Sequence, residues 1–440
     1  MQAAAPIGAP YQDGEAQATF DDAPAAAYLE KKERKWNIRS ILPRRSSALT
    51  DDEWRLRRRL RYRIYRCVPL IDAGIVGYVT YVYSYLFAYR HLVQLDDGRR
   101  RKQGIAFMVV SLYLAVSILT CGVIVYVIGP GFVQKEWGEK FETDLHNRGI
   151  AAEVESSIPH KNEAGLDSTN ANSATVEDSS TKVVSNSTIG QEKSSSAIQE
   201  AFICESDGHP LWCSRCQLLR PDRAHHSSEV DRCVLKMDHY CPWLGSIIGL
   251  RNYKPFYLFV AYSLLFATFT FATLTAYTII YAQEQKHVVA QFVLVDALSG
   301  IFMVMLVAFS GVHTFYVFRN QTTIEYISRH YRIYFINIGG IDPQRPALRA
   351  ICETEIGERF WNVGTWENWK SVMGRYVWEW LLPWNTTDNT GYSFRYNRAL
   401  LKRLQIQLQK QKEERTATGG DERTVTGRSG TFVVMHGYRV

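Results

Sequence analysis

The segment KMDHYCPW, Lys236 to Trp243, places a carboxylic acid, an imidazole, a phenol and a thiol at four consecutive positions. The pKa of an unperturbed cysteine is about 8.5, so little of Cys241 would be the nucleophilic thiolate at neutral pH without assistance. His239 could accept the thiol proton or stabilise the thiolate as an imidazolium, and Asp238 could fix the tautomer of that imidazole. The pattern predicts a nucleophilic cysteine; the alternative is that Cys241 is buried and inert.

Cysteine and histidine residues upstream of this segment have the spacing of a metal site. Cys213 and Cys216 form a CxxC pair, from which two thiolates could reach one zinc ion across a tight turn. His225 or His226 could supply the third ligand, and Cys233 the fourth. A closed, structural site of this type can supply about 10–16 kcal/mol of binding free energy to the folding of a loop with few apolar residues. The alternative is a group of free, buried thiols.

Four apolar blocks must position this chemistry in or beside a membrane. Each block is nearly free of formal charge and reaches the length of about 20 residues that a helix needs to cross a bilayer core. One such block could be a buried helix of a soluble protein, but four together indicate membrane spans. Tyrosine residues near the block ends favour the headgroup region. The blocks are Cys67–Ala88, Ile105–Ile128, Phe256–Ala282 and Phe292–Phe318.

Basic residues predict the orientation of these spans. Between Lys31 and Arg66 the sequence has 14 Lys or Arg residues, whereas the loop Tyr89–Gly104 has 5. Because cytosolic flanks are enriched in Lys and Arg, we expect an integral, multi-pass protein of an endomembrane or the plasma membrane, with both termini and loop 129–255 in the cytosol. In a reducing cytosol, the cysteines between positions 204 and 241 are expected to be metal ligands or catalytic thiols rather than disulfides.

The net charge of +7 is modest, and the basic run Trp54–Arg66 directly precedes a predicted span. This position favours a topology signal or contact with anionic lipid, and we expect no binding of nucleic acid. Residues 1–30 lack the apolar core of a cleavable signal peptide, and Gln2 excludes N-myristoylation.

Composition divides the chain into predicted segments. Low apolar content indicates disorder at both ends and in an insert rich in Ser, Thr and Asn. The segments are a disordered cytosolic N-terminus (1–50), a basic segment with transmembrane helices 1 and 2 (51–135), a disordered cytosolic insert (136–200), a cysteine-rich domain (201–255), transmembrane helices 3 and 4 (256–318), a cytosolic tail (319–385), and a basic helical and disordered C-terminus (386–440).

Two stretches of the tail leave alternatives open. Arg375–Trp384 carries three tryptophans and could be an interfacial membrane helix or the packed end of the domain. Leu400, Leu404 and Leu408 recur at helical spacing. They could belong to a helix that binds a partner or the membrane surface, or to a solvated, partly helical tail.

The segment Leu211–Phe256 resembles the cysteine-rich domain of the DHHC-type protein S-acyltransferases (palmitoyltransferases), most closely the fungal branch that contains DHYC. Thr322–Glu325 matches the TTxE motif of that family, and Phe360–Gly374 resembles its C-terminal aromatic motif, with Asn368 at the matching asparagine. The resemblance implies an all-α polytopic membrane protein, in which four transmembrane helices carry a small zinc-binding cysteine-rich domain in the cytosolic loop between helices 2 and 3.

Members of this family usually hold two zinc ions. By resemblance, the first site falls on residues that can all bind zinc: Cys213, Cys216, His226 and Cys233. The second falls on residues of which none is an ordinary zinc ligand: Ser227, Val230, Tyr240 and Ile247. We therefore expect one structural zinc ion, with side-chain packing and hydrogen bonding in place of the second.

The resemblance also implies a two-step acyl transfer. Cys241 would attack the thioester of a long-chain fatty acyl-CoA such as palmitoyl-CoA, with His239 as the base and Asp238 as its orienting partner. A cysteine thiol of a membrane-associated substrate protein would then take the acyl chain. A pocket between the four helices would hold that chain, and its depth would set the preferred chain length.

The expected acyl-CoA site comprises Arg220, Arg223, His225, Thr323 and Asn368. The three basic residues could hold the phosphates of coenzyme A, in a bidentate manner for Arg223, or they could be ordinary surface residues. By family analogy, Thr323 would form a hydrogen bond near Asp238.

Exchange of the second ligand set leaves a catalytically inactive, zinc-containing membrane adaptor as the alternative function. A zinc or proton transporter would need ionisable residues along several spans, and the spans contain only Asp72, Asp296 and His313. Such residues are costly within a bilayer. We therefore expect a functional or interhelical role for Asp296 and His313, or an interfacial position for Asp296.

Overall fold

The computed structural model describes residues 60, 64–94, 97–147, 201–205, 210–284, 289–329, 335–339, 349–354, 357–384, 389–418, 425–427 and 430–435. The predicted N-terminal segment 1–50 lies outside these residues. The helices are α1 (Val68–Val93), α2 (Gly98–Ile128), α3 (Lys135–Asn147), α4 (Tyr253–Gln283), α5 (Ala290–Arg319), α6 (Thr323–Arg329), α7 (Thr365–Met373) and α8 (Arg398–Thr418). Among the described residues, α1, α2, α4 and α5 are long and apolar enough to cross a bilayer, which confirms the prediction of four transmembrane helices.

Local sequence explains where the membrane helices begin and end. Pro69 lies in the first turn of α1, where its missing N–H removes no intrahelical hydrogen bond. Asp97 caps α2 by accepting a hydrogen bond from the backbone N–H of Arg99 at 2.9 Å. At the end of α5, Asn320 adopts a left-handed conformation with φ of 47°, a backbone region that asparagine tolerates better than most residues.

The second half of α1, Tyr81–Val93, is wound as a π-helix. Three exposed tyrosines line one side of it, and the rings of Tyr81 and Tyr85 and those of Tyr85 and Tyr89 stack with centroids 5.6 and 5.8 Å apart. The opposite side of this segment buries Tyr83 and Phe87 completely.

The core of the bundle lies between the four membrane helices and is rich in aromatic rings. Phe87 of α1 meets Phe292 of α5 edge to face, with centroids 5.7 Å apart. Polar side chains pair across the helices, and the hydroxyls of Tyr83 and Thr273 lie 2.7 Å apart. Thr275 donates to both carboxylate oxygens of Asp296 at 3.0 Å, which gives Asp296 the interhelical role that was one of its predicted alternatives.

The described residues also contain short strands, which the all-α prediction omitted. They are β1 (Ala201–Cys204), β2 (Trp212–Cys213), β3 (Leu218–Leu219), β4 (His225–Ser227), β5 (Arg232–Val234), β6 (His239–Cys241), β7 (Ser246–Ile248), β8 (Phe335–Gly339), β9 (Arg349–Glu353), β10 (Val425–Gly427) and β11 (Gly430–Met435). Strands β2 to β7 pair as three antiparallel hairpins, and the other strands form one sheet in the order β1-β8-β9-β11-β10. Strands of two to six residues show too little alternation to be recognised from sequence.

Helix α3 corrects the predicted start of the disordered insert, because residues 135–147 are helical rather than disordered. Two aromatic residues four positions apart explain why this helix packs. The ring of Trp137 stacks on Tyr392 with centroids 5.1 Å apart, and Phe141 meets Phe202 edge to face at 5.6 Å. Residues 148–200 of the predicted insert lie outside the described part of the chain.

Helix α8 packs on the chain itself. Leu400, Leu404 and Leu408 are buried in one apolar cluster together with Phe360 and Ile336, so the leucine face is not left open for a partner or a membrane. Beyond α8, part of the segment predicted to be disordered forms strands β10 and β11, and Val433 of β11 pairs with Ile351 of β9.

The tryptophan-rich stretch Arg375–Trp384 contains a short 3₁₀ helix, Val377–Leu381. Its Trp380 packs against the core of the bundle, whereas Trp378 is exposed. The hydroxyl of Tyr262 in α4 donates to the backbone carbonyl of Leu381 at 2.9 Å, which ties the stretch to a membrane helix.

Candidate functional site

The hairpin β6–β7 carries Cys241 at the end of its first strand. Cys241 pairs with Ser246 across the hairpin, and the backbone N–H of Gly245 closes the turn on the carbonyl of Pro242 at 3.1 Å. Gly245 has a φ of 53°, and a Cβ there would lie 2.7 Å from the carbonyl oxygen of Tyr65. The turn therefore packs directly against the chain that leads into α1 and holds Cys241 next to the membrane helices.

Asp238 lies beside this hairpin and is fully buried. Its Oδ2 accepts a hydrogen bond from Nδ1 of His239 at 2.6 Å. Thr323, which begins α6, donates to Asp238 twice, from its backbone N–H at 2.9 Å and from its hydroxyl at 2.8 Å. The hydrogen bond expected between Thr323 and Asp238 is therefore present. Because Nδ1 of His239 is engaged with Asp238, Nε2 is the nitrogen available to Cys241.

Charge favours a protonated imidazole in this pair. Burial lowers the pKa of His239, but the hydrogen bonds with Asp238 and with Cys241 outweigh burial and raise that pKa to about 9. Burial raises the pKa of Asp238, but the hydrogen bond from His239 and its charge, with smaller contributions from His313 and the Thr323 N–H, hold it below its usual value. At neutral pH the pair is a carboxylate and an imidazolium, the form that can stabilise a thiolate on Cys241.

A cavity of about 480 Å³ opens beside Cys241 and His239. Helices α1, α2, α4 and α5 all contribute to its walls, and most of the lining side chains are apolar. On α5 the lining runs from His313 to Ser299 and Leu298. Since a helix rises about 1.5 Å per residue, the separation of His313 and Ser299 corresponds to roughly 21 Å of depth. The cavity can hold a long apolar chain whose polar end lies at the thiol.

The first predicted ligand set converges in the structure. One potential ligand atom from each of Cys213, Cys216, His226 and Cys233 lies within 4.8 Å of the other three. Nδ1 of His226 lies 3.6 Å from Sγ of Cys213 and 3.2 Å from Sγ of Cys216. The sulfurs of Cys216 and Cys233 are 3.7 Å apart.

These separations fit one tetrahedral metal ion. Metal–sulfur bonds of about 2.3 Å and metal–nitrogen bonds of about 2.0 Å place sulfurs about 3.8 Å apart and sulfur and nitrogen about 3.5 Å apart. Oδ1 of Asp231 lies 3.4 Å from Nε2 of His226. Such a carboxylate orients a histidine ligand through its second nitrogen. The cluster can therefore hold a metal ion, with His226 rather than His225 as its imidazole.

Three of the four residues of the second predicted set, Ser227, Tyr240 and Ile247, have other contacts in the described structure. Ser227 is buried and donates to Oε2 of Glu229 at 2.7 Å. Ile247 is buried and pairs across the hairpin with Tyr240. The ring of Tyr240 lies 6.2 Å from that of Tyr65, just before α1. These contacts agree with hydrogen bonding and packing at positions where the family usually has a second metal.

The structure contradicts the prediction that Arg223 holds a phosphate. Arg223 is buried, and its guanidinium donates to both carboxylate oxygens of Glu325, at 2.6 and 2.9 Å. It also donates to the side chain of Asn320 at 2.9 Å and to the Asn320 backbone carbonyl at 3.0 Å. These contacts occupy the guanidinium N–H groups that a phosphate would need, so Arg223 is a structural residue.

Asn368 is likewise a structural residue rather than a ligand of coenzyme A. It is fully buried, and its amide donates to the backbone carbonyl of Phe318 at 2.8 Å and to Asn362 at 2.7 Å, while it accepts from the N–H of Val363 at 3.1 Å. It therefore joins α7 to the end of α5. Arg220 and His225 are half-buried in the cysteine-rich domain.

Sequence reasoning missed two contributors to this region, Tyr253 and Asn320. The hydroxyl of Tyr253 lies 3.3 Å from Nδ1 of His313, and Asn320 joins Arg223 to the backbone carbonyl of Trp361. His313 stood out as an ionisable residue in a span, but its contact with His239 depends on the tertiary fold. The asparagine immediately before the QTTIE run was the available signal for a helix cap.

Comparison with known proteins agrees with this geometry. Residues 206–330 match the family model described as DHHC palmitoyltransferase. The chain is similar to palmitoyltransferase pfa5 of Aspergillus fumigatus, with 25% identity over 379 residues that cover 74% of this chain and 84% of that protein.

Two mammalian relatives match a shorter part of the chain. Palmitoyltransferase ZDHHC2 of Mus musculus is 33% identical over 190 residues, which cover 42% of this chain and 45% of that protein. Palmitoyltransferase ZDHHC15 of Rattus norvegicus is 34% identical over 191 residues, which cover 43% and 51%. The chain thus spans about half the length of these two relatives. Residues 206–330 therefore match a DHHC palmitoyltransferase domain, and the relatives similar to this chain are named palmitoyltransferases.

Proposed function

We propose that this chain is a protein S-palmitoyltransferase, which moves a long-chain acyl group from acyl-CoA through acyl-Cys241 to cysteine thiols of membrane-associated proteins. One observation carries the proposal. Cys241 and His239 line one cavity of about 480 Å³ between the membrane helices, and Asp238 accepts a hydrogen bond from His239. A nucleophile, a proton carrier and a container for the chain are thereby joined in one site.

In the first step, the Cys241 thiolate attacks the thioester carbonyl of acyl-CoA, and the bond between the acyl carbon and the sulfur of coenzyme A breaks. His239 donates its proton to the departing thiolate, while Asp238 keeps the ring oriented. In the second step, His239 takes the proton of the substrate cysteine, whose sulfur attacks the acyl-Cys241 thioester. The Cys241 thiolate leaves beside an imidazolium again, so the cycle closes.

The cavity supplies most of the binding energy for the acyl chain in this proposal. Burial of each methylene is worth about 0.8 kcal/mol, and the lining of α5 from His313 to Ser299 offers depth for a palmitoyl chain. Arg220 and His225 remain the proposed contacts for the phosphates of coenzyme A, because Arg223 is occupied by Glu325.

We assign one structural zinc ion to Cys213, Cys216, His226 and Cys233. The ion would hold hairpins β2–β3 and β4–β5 together and supply folding energy rather than reaction chemistry. We also propose that the protein lies in an endomembrane or the plasma membrane with both termini in the cytosol. The reason is that the flank before α1 has more Lys and Arg residues than the first loop.

The test is labelling of the purified full chain with alkyne-tagged palmitoyl-CoA. Wild type is expected to gain a hydroxylamine-sensitive label that Cys241→Ala lacks. Cys67→Ala, which removes an exposed cysteine outside the proposed site, is the matched control and is expected to keep the label. A wild-type chain that binds zinc but gains no label would instead be the inactive membrane adaptor.

A further inference from the structure

A second buried imidazole lies against the proposed catalytic pair and has no role in the reaction described above. His313 is on α5, is only 3% exposed and lines the cavity beside His239 and Cys241. One oxygen of Asp238 and one ring nitrogen of each of His239 and His313 lie within 4.8 Å of one another. The ring centroids of the two histidines are 5.6 Å apart.

Aromatic side chains enclose the other sides of His313. Its ring centroid lies 4.6 Å from that of Phe309, 4.9 Å from that of Phe256 and 5.7 Å from that of Tyr316. A polar ring in such surroundings is costly unless it is hydrogen-bonded, and the hydroxyl of Tyr253, 3.3 Å from Nδ1, meets that need. The hydroxyl and the enclosing rings hold this imidazole in one place.

We propose that His313 is a positioning residue for acyl transfer: with Tyr253 behind it, its imidazole fixes the ring of His239 between Asp238 and Cys241. The inference rests on the proposed function and adds a residue from a membrane helix to its machinery.

The geometry explains why His239 needs this contact. The hydrogen bond from Nδ1 to Asp238 fixes one point of the ring, about which the ring can still pivot. Two rings limit that pivot, Phe256 at 5.1 Å and His313 at 5.6 Å. A shift of about 1 Å in a reacting group can cost about 100-fold in rate, so a residue that limits the pivot matters to Nε2, which must reach the sulfur.

A phenyl ring could fill the same space, but it could not accept the Tyr253 hydrogen bond or place a ring nitrogen near the buried Asp238 carboxylate. The other titratable groups that face the two histidines are Cys241 on the hairpin, Tyr253 on α4 and Tyr316 on α5 itself.

The experiment measures two properties of the full chain with His313→Phe, His313→Asn and Tyr253→Phe. The first is the initial rate of Cys241 acylation by palmitoyl-CoA. The second is the pH profile of Cys241 alkylation by iodoacetamide, which needs no acyl transfer. Phe315→Leu, an exposed ring on the same helix that lies outside the cavity lining, is the matched control. Zinc content and a monodisperse elution profile establish that each variant is folded.

We expect His313→Phe to acylate about 10- to 100-fold more slowly and to move the rise of the alkylation profile to higher pH. The direction follows because a loosened His239 ring pairs less well with Asp238, loses its proton more readily and therefore stabilises the Cys241 thiolate less. His313→Asn, which can keep a partner for the Tyr253 hydroxyl, should recover part of the rate. The acylation rate of Tyr253→Phe should lie between the rates of wild type and His313→Phe.

Acylation of His313→Phe at the wild-type rate with an unchanged pH profile would overturn the inference while leaving the proposed function intact. An acylation rate of His313→Asn no higher than that of His313→Phe would also contradict the inference. Absence of acylation in wild type would contradict the proposed function. The alkylation profile alone would then test the role of His313. If His313→Phe does not fold, Tyr253→Phe is compared with wild type instead, because it keeps the aromatic ring of residue 253 and loses only the hydroxyl.

Discussion

Arg223 and Glu325 form a buried ion pair between the cysteine-rich domain and the segment that follows α5. Nε of Arg223 lies 2.6 Å from Oε1 of Glu325, and Nη2 lies 2.9 Å from Oε2. Oε2 of Glu325 also accepts a hydrogen bond from the backbone N–H of Thr322 at 2.9 Å. The next residue, Thr323, donates twice to Asp238, so Glu325 holds the residue immediately before the one that supports the proposed catalytic pair.

Breaking this ion pair should destabilise the protein. Glu325→Gln leaves the buried guanidinium without a balancing charge, and loss of one partner of a buried pair costs about 3–5 kcal/mol. The expected result is a clearly lower unfolding temperature in detergent. Glu367→Gln is the matched control, since Glu367 pairs with Lys370 and Arg395 at the surface and exposed pairs contribute little. Equal unfolding temperatures for the two variants would contradict this assignment.

Acylation of Cys241 should decline as the pH rises through about 9, the raised pKa of His239. Above that pH the imidazolium is lost, and the departing thiolate has no proton donor. Asp238→Asn removes the carboxylate that raises the pKa, so its alkaline limb should move to lower pH. The measurement is the initial acylation rate from pH 6 to 10, with zinc content determined at each pH. An Asp238→Asn profile that coincides with that of wild type would exclude the pairing.

The same shift predicts how folding stability depends on pH. Since the pKa of His239 is raised from 6.5 to about 9 in the folded protein, its contribution to the free energy of unfolding is fully present below pH 6.5 and is lost as the pH rises through 9. Thermal unfolding of wild type and Cys241→Ala across this range would detect the loss.

One zinc ion per chain is the expected metal content. Cys233→Ser should abolish zinc binding and most of the folded protein, because one of four ligands is removed from a structural site. Tyr240→His should still bind one ion, since the three positions that would have to join it are Ser227, Val230 and Ile247. Elemental analysis of the purified variants provides the check, and two zinc ions per wild-type chain would refute the replacement of the second site by packing.

The depth of the cavity should limit acyl-chain length. Ser299 is buried and lines the cavity far along α5 from His313. Ser299→Phe should fill the far end, so that the last methylenes of a palmitoyl chain lose about 0.8 kcal/mol each and shorter donors such as myristoyl-CoA compete better. The readout is competition between the two donors. Val304→Phe, on the same helix but 67% exposed, should leave the acyl-chain preference unchanged. A changed preference in this control would show that the effect does not come from filling the cavity.

Sequence reasoning predicted most of what periodicity and spacing can encode. The four spans were located because an apolar run of about 20 residues is typical of a helix that crosses a bilayer and rare elsewhere. Cys213, Cys216 and Cys233 with one of the two neighbouring histidines were recognised because ligand spacing in a short loop is a local property, whereas the choice of His226 came from the family resemblance. The pair of Asp238 and His239 is adjacent in sequence, so its geometry needed little of the fold.

Properties that depend on distant parts of the chain were not predictable in this way. Arg223 seemed suited to a phosphate by its chemistry alone, but its partner Glu325 is 102 residues away. The leucine face of α8 has the same periodicity whether it binds a membrane, a partner or its own domain, and only the fold shows the last. The helix α3 depends on aromatic contacts with Phe202 and Tyr392, both far along the chain.

The cap of α5 has a consequence for which amino acids can stand at position 320. Glycine would adopt the left-handed backbone with less strain but would remove the acceptor for Nη1 of Arg223 and the donor to the carbonyl of Trp361. Aspartate would retain the acceptor and lose the donor. Backbone shape, an accepting oxygen and a donating nitrogen each restrict the choice independently, and asparagine meets all three requirements.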